Sequence, residues 1–522
     1  MRLPVESACH CCVQRRRFLR GCAACGAAAL LPGDAPSVLR AEQPAAEPRP
    51  RVRLVFACWA LVQDRPTWPH IGHDMRPEIE RVTNALQTGC PEIEFLPVAA
   101  HGPEDADRLL AMDEQDRVDG YIVYQMNNWV QVFPKIVASG KPTIVADFLF
   151  AGSGGFLRYT AGLRRQHRNF SVVSSSRIED LVEAARCFAM IKTSGTDAFV
   201  AACDRLRQDR TAPANQGDCA EDRVTAVTPG ECLESLKQAK ILSVGGGSRS
   251  IAESLYEIFG ITVEFPAFEE LSAMCEAVEE TEAEQVAETW RCGARRIALE
   301  EPEQTLLRSA RNYLGQKKLL ESKGAEAITI NCLGGFYSGK LQAYPCLGFV
   351  ELLNAGLIGA CEADLLSTGT MVAIRHLVGR PGYISDPVLD TSKREIIYAH
   401  CVAMTKPLGQ DGPANDYEIL SHSEDRRGAS VRSFLPLGYR ISTMEIHPVR
   451  KEILFHQGRA EENVIEDRAC RTKLACHVEG DFEKLFHYWD TYGWHRVSFY
   501  GDLREPTREL AAAIGFQFVE EA

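Results

Sequence analysis

The residues best placed for chemistry are Cys361-Glu362-Ala363-Asp364, with Glu351 shortly before them and His495 near the end of the chain. Two carboxylates and an imidazole make a donor set for a hard divalent cation that must also hold a substrate's oxygens. In the stretch 347–356, helical spacing puts Glu351 on the same face as Leu347 and Val350, so an acid is aimed at an apolar surface. An unpaired charge there is costly, and a metal ion or a basic partner removes the cost. An apolar strand then ends in Glu362 and Asp364, where open α/β sheets place their sites. Each acid also has a plainer reading. Glu351 can be a boundary residue in a salt bridge, Glu362 can pair with a nearby arginine, and Asp364 can simply favour the start of a helix predicted over 367–377.

These residues need a scaffold, and its pattern is legible. Short apolar strands at 51–57, 93–98, 120–124 and 142–146 alternate with helical spacings, which implies a parallel sheet covered by helices. A long helix is predicted over 178–207, followed by a polar, irregular stretch over 208–229. The alternation restarts with strands at 239–244, 261–265 and 327–332. Gly245-Gly246-Gly247-Ser248 lacks both the spacing of a dinucleotide loop and a phosphate-binding lysine, so it reads as a plain turn. Beyond Tyr398, alternating segments such as 438–446 and 452–456 favour an antiparallel sheet or small barrel. The expected fold is α/β: two doubly wound domains (51–165 and 166–360) and a C-terminal α+β domain (361–522) with an antiparallel, barrel-like sheet.

The chain has 522 residues, enough for roughly two to four domains. A net charge of -13 excludes a general nucleic-acid binder, which shows a basic face. Gln14-Arg15-Arg16-Arg17-Phe18-Leu19-Arg20, followed by a small-residue apolar run over 21–31, matches a twin-arginine export signal. Residues 1–45 are therefore read as leader and linker, with the mature chain periplasmic or extracellular and not stably inserted in a membrane. Nineteen cysteines occur, five of them in the leader. The other fourteen show no zinc spacing, and buried free thiols are the expectation.

Several of these stretches resemble L-fucose isomerase and L-arabinose isomerase-like proteins. The similarity is diffuse over 51–522 and sharp in short segments: 349–364 (FVELLNAGLIGACEAD), 377–390 (LVGRPGYISDPVLD), 398–404 (YAHCVAM) and 493–502 (GWHRVSFYGD). Residues 239–261 look like the opening of that family's second domain, and 377–390 like its aspartate in a turn after a strand. The resemblance implies an aldose–ketose isomerase working through an enediol on a cation, Mn²⁺ or Mg²⁺. It places Glu351, Asp364 and His495 as the ligands, with Glu351 and Asp364 doubling as base and acid. Gly493-Trp494-His495 stands where the family's sugar-contacting loop lies, so Trp494 is expected against the substrate. His400 is expected to orient the sugar, or else to be a satisfied core histidine. A homo-oligomer, trimer or hexamer, is implied the same way. The alternative function is an exported, non-catalytic carbohydrate-binding protein, and a metal-dependent hydrolase ranks last.

Overall fold

Strands buried on both faces read as unbroken apolar runs, and five of them pair in parallel in the first third of the chain. They are β1 (Arg51–Ala57), β2 (Glu94–Ala100), β3 (Gly120–Gln125), β4 (Thr143–Asp147) and β5 (Phe170–Val173), in the order β2-β1-β3-β4-β5. The computed structural model describes residues 49–214 and 217–522. The export-signal reading of 14–31 lies outside the described residues.

The predicted long helix is in fact two, Ile178–Arg186 and Ile191–Arg210, separated by the 3-10 turn Cys187–Met190. Gly195 at φ +78 kinks the second, a conformation glycine adopts without steric cost. A second parallel sheet follows, from β6 (Lys240–Val244), β7 (Thr262–Glu264), β9 (Ala327–Ile330) and β10 (Ile358–Cys361), ordered β10-β9-β6-β7. Gly359 is required here, because a Cβ would stand 2.6 Å from Phe349 Cα on the packed helix.

The remaining strands are antiparallel. β11 (Tyr383–Asp390), β12 (Glu395–His400), β15 (Arg440–His447), β16 (Glu452–Asn463), β17 (Thr472–Val478) and β18 (Arg496–Tyr500) run β15-β18-β11-β12-β17-β16. The β15–β16 pairing closes this row into a six-stranded barrel, and β19 (Gln517–Glu520) adds parallel to β16. Closure falls on β16, whose first half pairs with β15 and whose second half pairs with β17 through a bulge at Ala460 and Glu462. Gly458 sits at the crossover, where a Cβ would meet His477 O at 2.6 Å. A small sheet of β8 (Arg296–Ala298), β13 (Tyr417–Leu420) and β14 (Ser430–Ser433) completes the described strands. Among the described residues no helix is long and apolar enough to cross a membrane.

A buried polar chain ties the barrel together. Arg496 Nη2 donates to Glu521 Oε1 at 2.8 Å, His456 Nδ1 lies 2.9 Å from Glu521 Oε2, and Tyr398 Oη lies 2.6 Å from His456 Nε2. Burial opposes the Glu521 charge, but Arg496 and His456 outweigh it and hold the carboxyl at about 2. A depressed carboxylate stabilises the fold above its unfolded value of 4.5, and that contribution is lost as pH falls through about 2. Unfolding free energy is therefore expected to drop by about 3 kcal/mol across that acid window. Glu521→Gln is expected to cost about 3–5 kcal/mol at neutral pH, because Arg496 is left buried without its counter-charge. Urea melts of both proteins at pH 7 and pH 3 check this. Parallel pH responses of parent and variant would refute it.

Candidate metal centre

Strand β10 ends at Cys361, and the next two residues turn sharply: Glu362 and Ala363 have φ of +66 and +52. Left-handed backbone at consecutive non-glycine residues is costly and persists only where surroundings enforce it. Here Ala363 N donates to Ile330 O at the end of β9 (3.0 Å), and Asp364 N donates back to Cys361 O (3.3 Å). The turn aims Glu362 at two barrel histidines, His400 at the end of β12 and His495 just before β18. Glu362 Oε1 lies 3.9 Å from His400 Nε2, and Oε2 lies 3.7 Å from His495 Nε2. The imidazole rings are 5.4 Å apart at 66°.

Asp364 has two tasks. Its Oδ1 accepts from the backbone N–H groups of Leu366 (3.0 Å) and Ser367 (3.3 Å), capping the helix Leu365–Val378. Its Oδ2 lies 2.9 Å from His495 Nδ1. A carboxylate there fixes a proton on Nδ1, so that Nε2 is the nitrogen whose lone pair faces the centre once the imidazole is neutral. Burial pushes the Asp364 carboxyl up, but His495 and Ser367 pull it below the usual range.

Glu362, His400 and His495 each offer one ligand atom, all within 4.8 Å of one another, and form a possible metal site. The fit is supported by orphaned polar atoms. His400 Nδ1 and Nε2 and His495 Nε2 are buried without a hydrogen-bond partner, a state a bound cation would relieve. Two imidazoles and one carboxylate suit Mn²⁺, Fe²⁺ or Zn²⁺ better than Mg²⁺.

Glu362 and His400 line a cavity where the carboxyl ends of both parallel sheets meet the barrel. Asn128 and Trp129 follow β3, Cys332 follows β9, and Glu362 follows β10. The barrel side supplies Asp386, His400 and Trp494, and the loop after β13 adds His422 and Glu424. Trp494 stacks on Trp129 at 4.3 Å and 13°. Asp386 Oδ1 is 3.6 Å from His495 Nε2. Burial, with the Glu362 charge adding to it, pushes Asp386 up to about 7, and likewise Glu424 to about 8. Tyr337 Oη donates to Glu424 Oε2 at 3.0 Å.

Glu351 is a different case, and its expected place as a ligand needs correcting. It does lie in a helix, Cys346–Asn354, and it is largely removed from water. Its Oε1, however, accepts from Trp290 Nε1 at 2.8 Å, and burial raises its carboxyl. Its neighbours include Trp290, Tyr313 and Tyr417, and the structure does not bring it to the two histidines. The cost of an acid on an apolar face is met by an indole N–H, and the carboxylate facing the imidazoles is Glu362. Asp364 touches His495 but not His400, so it stands behind the centre. Both aspartates of 377–390, Asp386 and Asp390, lie within β11 rather than in a turn.

The two histidines titrate in opposite directions. Burial and the neighbouring His495 push His400 down to about 3, so it is neutral. Burial lowers His495 too, but Asp364, Asp386 and Glu362 overcome it and hold the imidazolium up to about 10. That raised value stabilises the metal-free fold fully below 6.5, and the contribution is lost as pH rises through about 10. A cation must displace the His495 proton. Metal affinity is therefore expected to rise by up to about tenfold per pH unit between those values, with proton release. Titration calorimetry in buffers of different ionisation enthalpy measures it. A pH-independent affinity with no proton released would refute it.

No protein-family model matches this chain. Two curated proteins named sulfoquinovose isomerase are similar to it, one from Priestia aryabhattai and one from Priestia megaterium (strain ATCC 12872 / QMB1551). Each is 25% identical over 299 residues, covering 55% of this chain. The chain spans 65% of the length of these relatives. A solved structure, the XylFII molecule, covers 56% of this chain and 85% of its own at 10% identity, with a TM-score of 0.16, too low to bear on fold or function.

Proposed function

We propose that this protein is a metal-dependent sugar isomerase interconverting an aldose and a ketose. The carrying observation is the meeting of Glu362 with orphaned, buried imidazole nitrogens in a cavity that also holds two carboxyls near neutrality. The similarity to sulfoquinovose isomerases points to the same reaction class.

Glu362, His400 and His495 would hold the cation, which supplies Lewis-acid polarisation of the sugar's carbonyl oxygen. The protein supplies the proton movements. Isomerisation through an enediol takes a proton from one carbon and returns it to the neighbour. A carboxyl that titrates near the working pH can do both. Glu424, held in place by the Tyr337 hydroxyl, is the residue we assign to that carbon-to-carbon transfer. Asp386 is positioned to move the proton between the two oxygens. Trp494 and Trp129 would present apolar surface to the sugar's C–H groups.

The test is elemental analysis of the purified chain, then a ketose colour assay with a panel of aldoses. Bound transition metal and ketose formation, abolished by a chelator and restored by Mn²⁺, are expected. Tight sugar binding by the metal-loaded protein without ketose would replace this reading with the carbohydrate-binding one.

A further inference from the structure

Five free cysteines line the cavity of the metal centre: Cys332, Cys346, Cys361, Cys401 and Cys470. The donor set of Glu362, His400 and His495 contains no thiol and sugar isomerisation needs none, so their concentration here is unexplained by the proposed chemistry. Two of them stand out by position. Cys401 directly follows His400, the last residue of β12, and Cys470 precedes β17, the antiparallel neighbour of that strand. The register pairs His400 with Thr472, so the two cysteines leave adjacent strands almost opposite each other. Their sulfurs converge on one hydroxyl: Ser423 Oγ is 4.0 Å from Cys401 Sγ and 3.9 Å from Cys470 Sγ.

We propose that Cys401 and Cys470 are a redox-modification site, closing to a disulfide inside the cavity and thereby disabling the adjoining metal centre. Both cysteines contribute to the cavity lining, so an oxidant as small as hydrogen peroxide reaches them by the route a sugar takes. One thiol gives up its proton and attacks a peroxide oxygen, the O–O bond breaks, and the departing hydroxide takes that proton, leaving a sulfenic acid and water. The second thiol attacks that sulfur, and a second water leaves. Two thiols and one peroxide thus give one disulfide and two waters, the sulfurs losing two electrons and peroxide gaining them. Bonded sulfurs stand about 2.05 Å apart, well inside the contact distance of two free thiols, so closure draws Cys401 and Cys470 together. His400 is joined to Cys401 by a single peptide link, and its imidazole has no hydrogen bond of its own to resist the movement.

The effect on metal rests on the reading of Glu362, His400 and His495 as a metal centre, whereas the disulfide itself does not. The experiment exposes the full-length, metal-loaded protein to hydrogen peroxide, maps its thiols by mass spectrometry, and measures retained metal in the same samples. A peptide pair linked through Cys401 and Cys470, lighter by two hydrogens, is expected. Retained metal should fall to background as the link forms and be rebound after dithiothreitol and fresh metal. In Cys470→Ala, folding checked by circular dichroism, the same oxidant should leave the metal bound. Cys401 and Cys470 both remaining free while the exposed Cys292 is oxidised would overturn the modification site. A complete link with metal fully retained would overturn its consequence for the centre. A chain that never holds metal but still forms the link would count against the metal reading alone.

Discussion

Glu362→Gln is expected to abolish metal binding and turnover while leaving the metal-free fold close to the parent's in stability, because the lost attraction to His495 is offset by relieved repulsion with Asp386 and Glu424. The first half follows from the donor set. Without the Glu362 carboxylate the two imidazoles remain, and the next carboxyl facing His495 Nε2 is Asp386, which burial pushes up to about 7. Losing even an outer-shell partner of a metal ligand costs roughly 10–100-fold in affinity, and a charged ligand is worth more. The second half separates a ligand from a structural acid. Glu362 lies within ion-pair distance of His400 and His495, and its charge pushes Asp386 and Glu424 upward. Removing it relieves repulsion among carboxylates, so Asp386 and Glu424 should titrate lower in the variant. Thermal melts with and without Mn²⁺ decide the matter. The parent's transition should rise with metal, as ligand linkage requires, and the variant's should not. A variant that melts far below the metal-free parent, or that still shifts with metal, would refute the assignment.

The scaffold was open to reading because its signals are local. Apolar runs such as 51–57 and 120–124 became strands within a residue or two of their expected bounds, since a strand buried on both faces needs no partner to announce itself. The barrel-like antiparallel sheet was visible in 438–446 and 452–456, although the strand that closes it was not: β16 serves two neighbours, a fact of register rather than composition. The site was harder for a physical reason. Glu351 was readable as a buried acid, but its partner Trp290 lies 61 residues away, and no spacing reveals it. Glu362 looked like an acid awaiting an arginine, because nothing in Glu-Ala signals two left-handed residues in a row. His422 and Glu424 sit in the polar stretch 421–427, where no apolar periodicity marks a buried site. Their signal was a histidine among acids in a short loop, and the stacking of His422 on Tyr344 at 4.2 Å is what takes it inward. For Asp364, helix capping and contact with His495 coexist, because a carboxylate has two oxygens to spend.

That division of labour within Asp364 makes Asp364→Asn the sharper of two substitutions. Asparagine is as good a helix cap as aspartate, so its side-chain oxygen can keep the bonds from Leu366 and Ser367. Its amide nitrogen then stands where Oδ2 was, and a donor faces the Nδ1–H of His495. Two donors 2.9 Å apart repel, and the relief is tautomeric: the proton moves to Nε2, and Nδ1 accepts from the amide. Nε2 then carries a hydrogen where the centre needs a lone pair. Metal affinity is expected to fall about 10–100-fold, while the metal-free fold loses the His495 ion pair but keeps its helix cap. Asp364→Ala differs, because it also removes the cap and should cost about 1 kcal/mol or more. Nitrogen-15 shifts of the His495 ring in the metal-free variant at alkaline pH should show the exchanged tautomer directly. If the asparagine variant binds metal like the parent and only the alanine variant weakens, then Asp364 acts through the helix alone, and His495 is set by something else.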